Sequence, residues 1–133
     1  MRSIRETKTE QNLLTTFARE SMARNLYEYY GKIAKKEGFE QISMVFYKTA
    51  EQKRSLAKQF YKHFEGSEIS ITSEFNTGRA GSTTEILEYA VISEREEWSV
   101  KYPDYIQMAK EEGFHQISII FQMVSKAIKA HEE

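Results

Sequence analysis

Lys35-Lys-Glu-Gly-Phe-Glu-Gln-Ile-Ser-Met-Val-Phe46 is the stretch that decides the fold, because the chain contains it twice. Shifted by 75 positions, the second copy reads Lys110-Glu-Glu-Gly-Phe-His-Gln-Ile-Ser-Ile-Ile-Phe121, with eight of the twelve residues identical. A shift of 74 positions places Glu20, which precedes the first copy, opposite Glu94, which precedes the second. This internal repeat predicts two helix pairs in tandem, which together form a four-helix bundle.

The spacing of apolar residues around the two copies predicts an all-α fold in a single domain, 1–133, with a long crossover between the two helix pairs. The predicted helices are about 10–37, 39–65, 83–112 and 114–132, and the crossover is 66–82. Thr7 or Thr9 is the expected cap of the first helix, and Ser82-Thr-Thr-Glu85 is a capping box for the third. Pro103 predicts a kink or a restart inside the third helix.

Composition excludes several classes of function. The chain has no cysteine, which removes disulfides, iron–sulfur ligation, thiolate zinc and cysteine nucleophiles. Its 19 basic and 20 acidic residues nearly balance, so no electrostatic case for nucleic acid arises. No apolar run approaches the roughly 20 residues that span a bilayer. We therefore expect a cytoplasmic protein that binds neither nucleic acid nor membrane.

Charged residues fall on the predicted inward faces of three helices. Glu20 and Arg24 lie on the apolar stripe of the first helix, Lys53 on that of the second, and Glu94 and Glu97 on that of the third. A buried charge must be paired or must bind a metal. These positions therefore predict a polar cluster in the middle of the bundle. A lysine that extends along the apolar surface to reach solvent is the alternative for Lys53.

Ferritin-like bundles hold two metal ions between helices, with an inward glutamate on one helix and a Glu-x-x-His motif on the next. At the corresponding positions the first pair has Lys53-x-x-Leu56 and the second has Ile128-x-x-His131. Each helix pair therefore lacks an intact Glu-x-x-His motif.

Six stretches of the chain resemble the rubrerythrin family, and the resemblance covers the whole chain. They are Asn12–Asn25, Lys35–Ile42, Phe60–Gly66, Glu94–Glu97, Tyr102-Pro103 and Glu111–Phe114. Rubrerythrins are ferritin-like bundles that hold a non-haem diiron centre, reduce hydrogen peroxide and act against oxidative stress. The resemblance extends to the family's bundle domain, without the cysteine-rich electron-transfer domain of many members. It implies a homodimer, in which helix pairs are exchanged in some members.

Carried over residue by residue, the resemblance implies that four iron ligands are retained, namely Glu20, Glu94, Glu97 and His131. It also implies that three are replaced. Lys53 and Ile128 stand where the family has its bridging glutamates, and Leu56 stands where it has the first histidine. Tyr27 and Tyr102 resemble family positions near the metal cavity.

The first hypothesis is a protein without a cofactor, with a structural or interaction role, in which diiron peroxidase activity is lost. Glu20, Glu94 and Glu97 would then need compensation by Lys53, which Arg24 and a protonated His131 would supplement.

Two enzymatic alternatives remain open. A single Fe, Zn or Mn ion at Glu94, Glu97 and His131 would make a non-haem oxidoreductase of the peroxide-reducing type. Without a metal, the catalytic candidates are Lys53, Glu20 and Glu97, with a desolvated lysine acting as base or nucleophile. The carboxylates near Lys53 argue against this last alternative because they favour the charged amine.

Overall fold

The computed structural model describes residues 2–75, 78 and 81–131, except for the side chain of His131. Its helices are α1 (Lys8–Lys36), α2 (Glu40–Tyr61), α3 (Thr83–Glu96), a π-helical segment (Glu97–Lys101), α4 (Tyr102–Glu111) and α5 (His115–His131). Because α3, the π-helical segment and α4 follow one another without a break, they form the third helix of the bundle. The prediction of an all-α, ferritin-like four-helix bundle is confirmed.

Two helix pairs make up the bundle, as the repeat predicted. α1 packs along α2, and α4 packs along α5. The described residues of the crossover between 66 and 82 contain no helix or strand, whereas 76, 77, 79 and 80 lie outside the described part of the chain. No helix in that part has the length and apolar character needed to span a bilayer.

The first helix begins two residues earlier than predicted because Thr7 is its cap. The Thr7 side chain accepts a hydrogen bond from the backbone N–H of Glu10 at 3.1 Å. The helix stops before Gly38, whose φ of 89° is accessible to glycine at little cost. The N–H of Phe39 closes this end by donating to the carbonyl of Ala34 at 2.8 Å.

A π turn decides which face of the third helix is buried. The predicted capping box is present, with Ser82 and Glu85 bonded reciprocally. Further along, the N–H of Tyr102 donates to the carbonyl of Glu97, five residues earlier. This wider turn puts both Glu97 and Tyr102 on the buried face, and Lys101 instead lies 3.9 Å from Glu96.

The repeated Glu-Gly-Phe motif ties each helix pair to the other. Glu37 accepts hydrogen bonds from the backbone N–H of Thr83 at 2.9 Å and from its hydroxyl at 2.6 Å. Glu112 accepts the equivalent bonds from Thr9, with the backbone bond at 2.7 Å. Each glutamate at the end of one helix thus caps the first helix of the opposite pair. The duplication therefore produces a reciprocal connection between the two pairs.

The core consists of two apolar clusters with a polar cluster where they meet. Tyr27, Tyr30, Phe46, Ile86 and Ala90 belong to one cluster. Leu13, Phe60, Tyr102, Phe121 and Ile128 belong to the other. Tyr27 and Tyr102 direct their hydroxyls to two different carboxylates, Glu94 and Glu20. The polar cluster between them is the candidate site.

Candidate functional site

Lys53 is the centre of the polar cluster. It lies on the buried face of α2 between Ala50 and Ala57, and its side chain is only 1% exposed. Its Nζ is 3.1 Å from Oε2 of Glu20 on α1 and 3.0 Å from Oε1 of Glu94 on α3. The alternative in which Lys53 extends to solvent is therefore wrong, because two carboxylates hold the ammonium inside the bundle.

Both tyrosines expected near the cavity contact the cluster. The hydroxyl of Tyr27 donates to Oε1 of Glu94 at 2.8 Å, and that of Tyr102 donates to Oε1 of Glu20 at 3.3 Å. Burial, followed by the neighbouring carboxylates, raises the pKa of both phenols well above the ordinary value. Tyr27 and Tyr102 are therefore neutral donors that stabilise carboxylate charge at neutral pH.

Glu97 is buried next to Glu20 and hydrogen-bonds to it. Burial, and then the charge of Glu20, raise the pKa of Glu97 well above its usual range, although Lys53 opposes this shift. This shift favours the protonated form of Glu97 as the donor of the hydrogen bond to Glu20. Within the described residues, Oε2 of Glu97 has no hydrogen-bond partner.

The charge state of Lys53 is set by its carboxylates. Burial alone would lower the pKa of Lys53, but Glu20, Glu94 and Glu97 together raise it above the ordinary lysine value. A lysine that acts as a base or nucleophile requires the opposite shift. The cluster thus places one ammonium among the three carboxyl groups of Glu20, Glu94 and Glu97.

The structure brings together Lys53, Glu20, Glu94 and Glu97 as predicted, but it leaves out Arg24. The Arg24 guanidinium lies 3.2 Å from Glu28 and is not among the buried side chains. Glu28 offers this partner one turn along α1 without desolvation, so the prediction that Arg24 faces inward is wrong.

The other predicted ligand positions differ in their surroundings. Ile128 is fully buried in the apolar cluster around Phe121, and Leu56 packs against that cluster while partly buried. The side chain of His131 lies outside the described residues, so its predicted role is untested. No group of three or more His, Asp or Glu side chains in the described part is arranged to hold a metal ion.

A cavity beside the cluster was not predicted from sequence. It has a volume of about 290 Å³ and lies between α1 and α3, with Phe75 of the crossover in its wall. Arg19 also lines it, with its guanidinium 5.4 Å from the Phe75 ring centre and 3.3 Å from the Tyr105 hydroxyl. Sequence periodicity gave no signal for this cavity because Phe75 belongs to no helix.

A family model described as Rubrerythrin matches residues 11–133 of the chain. Rubrerythrin from Porphyromonas gingivalis is 45% identical over 131 residues, which cover 98% of this chain and 66% of the relative. Rubrerythrin from Nitratidesulfovibrio vulgaris is 40% identical over 133 residues, which cover 100% of this chain and 70% of the relative. A putative rubrerythrin from Methanocaldococcus jannaschii is 33% identical over 135 residues, which cover 95% of this chain and 66% of the relative. The chain thus spans about two thirds of the length of these relatives.

Proposed function

Because the chain belongs to the rubrerythrin family, we propose that it is a metal-free member in which an ammonium–carboxylate cluster replaces the diiron centre. The observation that carries the proposal is the position of Lys53, whose Nζ lies within 3.1 Å of both Glu20 and Glu94. The carboxylates that the resemblance assigns to iron are here paired with a positive side chain.

The residues present do not fit a pair of iron ions. Two such ions repel each other strongly, and bridging carboxylates supply both the ligand bonds and the negative charge that hold them together. The buried Ile128 supplies neither of these. Lys53 puts a positive charge among the same carboxylates, and its raised pKa means that removing the proton to create a ligand is costly.

The role that the cluster supports is structural. Lys53, Glu20 and Glu94 come from α2, α1 and α3, so one ion pair lies within the first helix pair and the other, Lys53 with Glu94, joins it to the second. Without a counter-ion, the two carboxylates would be buried charges that cost several kcal/mol. Lys53 thus allows the duplicated bundle to keep its inward glutamates without a metal.

A second candidate is a non-haem oxidoreductase with one Fe, Zn or Mn ion at Glu94, Glu97 and His131. The observation that favours it is the buried Oε2 of Glu97, which lacks a hydrogen-bond partner within the described residues. Two carboxylates and one imidazole suit each of these metals.

Metal content decides between the two candidates. The protein is loaded anaerobically with Fe(II), repurified and analysed by mass spectrometry, and its near-ultraviolet spectrum is recorded for an oxo-bridged ferric pair. We expect metal well below one ion per chain and no oxo-bridge band. One ion per chain would favour the site at Glu94, Glu97 and His131. Two ions with the band would refute the proposal.

A variant that restores the missing ligands provides the positive control. Lys53→Glu, Leu56→His and Ile128→Glu together are expected to yield two iron ions per chain and an oxo-bridge band. The matched control replaces Lys58, an exposed lysine of α2, by glutamate together with the same Leu56 and Ile128 changes. Because this control keeps Lys53, we expect it to bind fewer than two ions.

A further inference from the structure

The cavity between α1 and α3 has the form of a small-molecule site. Its walls are largely apolar and aromatic, and they include Met22, Leu26, Tyr27, Tyr30, Phe75 and Ile92. Its volume of about 290 Å³ is close to the lower end of the range for ligand pockets. An apolar cavity of about 150 Å³ already admits benzene, so this one has room for a molecule of one or two rings.

One end of the cavity is polar and incompletely bonded. Lys53 and Glu97 both line it, and they are 1% and 4% exposed. In the described part of the chain, Oε2 of Glu97 has no hydrogen-bond partner. Nζ of Lys53 is engaged by Glu20 and Glu94, which leaves one of its three N–H groups for a ligand. Buried polar atoms of this kind are costly unless a ligand or ordered water bonds to them.

The charges around the cavity favour a neutral ligand. Lys53 is paired with Glu20 and Glu94, and Lys101, which also lines the cavity, lies 3.9 Å from Glu96. Arg19 stacks on Phe75 and donates to Tyr105. At Lys53 and Glu97, an anion would lie beside Glu20 and Glu94 and a cation beside the ammonium, so neither would have its desolvation offset there.

We propose that this cavity binds a small neutral alcohol or phenol, with its hydroxyl at Lys53 and Glu97 and its apolar body between Tyr27, Phe75 and Ile92. A hydroxyl both accepts and donates, so it accepts from the Lys53 ammonium and bonds to Glu97. The exposed Met22 and Ile92, 39% and 66% accessible, form the apolar mouth through which the ligand enters. This inference rests on the proposed metal-free cluster as the floor of the cavity.

The test uses 2-naphthol as the probe, with naphthalene and 2-naphthoate as matched compounds. Each is titrated into protein of measured metal content and followed by the methyl NMR signals of Met22 and Ile92. We expect 2-naphthol to bind with a dissociation constant on the order of 1 mM or below. Naphthalene should bind about tenfold more weakly because it leaves the polar atoms unpaired. The charged 2-naphthoate should not bind measurably.

Ala23→Phe places a ring in the cavity, since Ala23 lines its wall. This variant should weaken 2-naphthol binding at least about tenfold, a difference typical of losing a well-packed contact. The same substitution at the exposed Ala130 should leave binding unchanged. Thermal unfolding of both variants shows whether either is misfolded. The comparison of the three compounds uses the parent protein and does not depend on the variants.

The outcomes separate this inference from the proposed function. The ligand site is refuted if the metal-free protein binds none of the compounds, or if the methyl signals of Met22 and Ile92 indicate only water in the cavity. Either result leaves the metal-free cluster intact. Equal binding of 2-naphthol and naphthalene, or tighter binding of 2-naphthoate, also overturns it. Protein that retains iron after purification overturns the proposed function instead, whatever the titrations show.

Discussion

Lys53→Met removes the ammonium from the buried cluster and keeps a side chain of similar length. Glu20 and Glu94 then lose the positive charge that lies 3.1 and 3.0 Å away. At an effective dielectric constant of about 20, each contact has a gross attraction of roughly 5 kcal/mol, most of which is offset by desolvation. Breaking a buried pair from one side typically costs about 3–5 kcal/mol. That is a large part of the total stability of a small domain, about 5–15 kcal/mol.

Urea unfolding followed by circular dichroism measures this loss, and its pH dependence provides an independent check. The folded pKa of Lys53 is raised above the ordinary 10.5, so its contribution is fully present below that value and is lost only as pH rises through the folded pKa. In the parent, the charge of Lys53 should therefore contribute equally to stability at pH 6 and at pH 9.

Arg54→Met is the matched control, because Arg54 is the next residue on α2 and forms an exposed ion pair. Its guanidinium lies 3.9 Å from Glu51, and the two side chains are 72% and 66% exposed. Such a pair contributes less than about 1 kcal/mol. Adding Glu20→Gln and Glu94→Gln to Lys53→Met should recover much of the loss because no buried charge is left unpaired.

The reasoning is refuted if Lys53→Met unfolds within about 1 kcal/mol of the parent while the control behaves as expected. In that case the carboxylates would have another counter-charge in the folded protein. A loss that the two added glutamine substitutions do not relieve would mean that packing, and not charge, is the cause.

Two further predictions concern single carboxyl groups. Glu97→Gln mimics the protonated form of Glu97. Because the folded pKa of Glu97 is raised, the parent protein loses stability as pH rises above the unfolded pKa of about 4.5. In urea titrations, the Glu97→Gln variant should be more stable than the parent at pH 8 but not at pH 4. An equal difference in stability at the two pH values would contradict the raised pKa of Glu97. Glu112→Gln should cost about 0.5–1 kcal/mol at pH 7, since Glu112 faces the N-terminus of α1. Although partial burial opposes it, hydrogen bonds from Thr9 and Lys8 lower the pKa of Glu112, so this cost should vanish as pH falls below about 4.5. The exposed Glu111→Gln should show neither effect.

Much of the candidate site could be predicted from the sequence, because helical periodicity assigns residues to faces. The repeat aligned Glu20 with Glu94, and the apolar stripe of α2 placed Lys53 inside the bundle. The same periodicity was wrong for Arg24, which reaches Glu28 at the surface. A long side chain at the edge of a stripe can point to either side, and only the partners available in the folded protein decide which.

The sequence by itself determined the two helix pairs, their tandem order and the inward polar residues, since repeats, caps and periodicity are local properties of the chain. The tertiary structure alone decided three other features. It paired Lys53 with two carboxylates from different helices, it placed Tyr102 inward through the π turn, and it brought Phe75 over the cavity. These depend on distances between elements far apart in the chain, or on one additional residue in a helical turn, and a sequence pattern encodes neither.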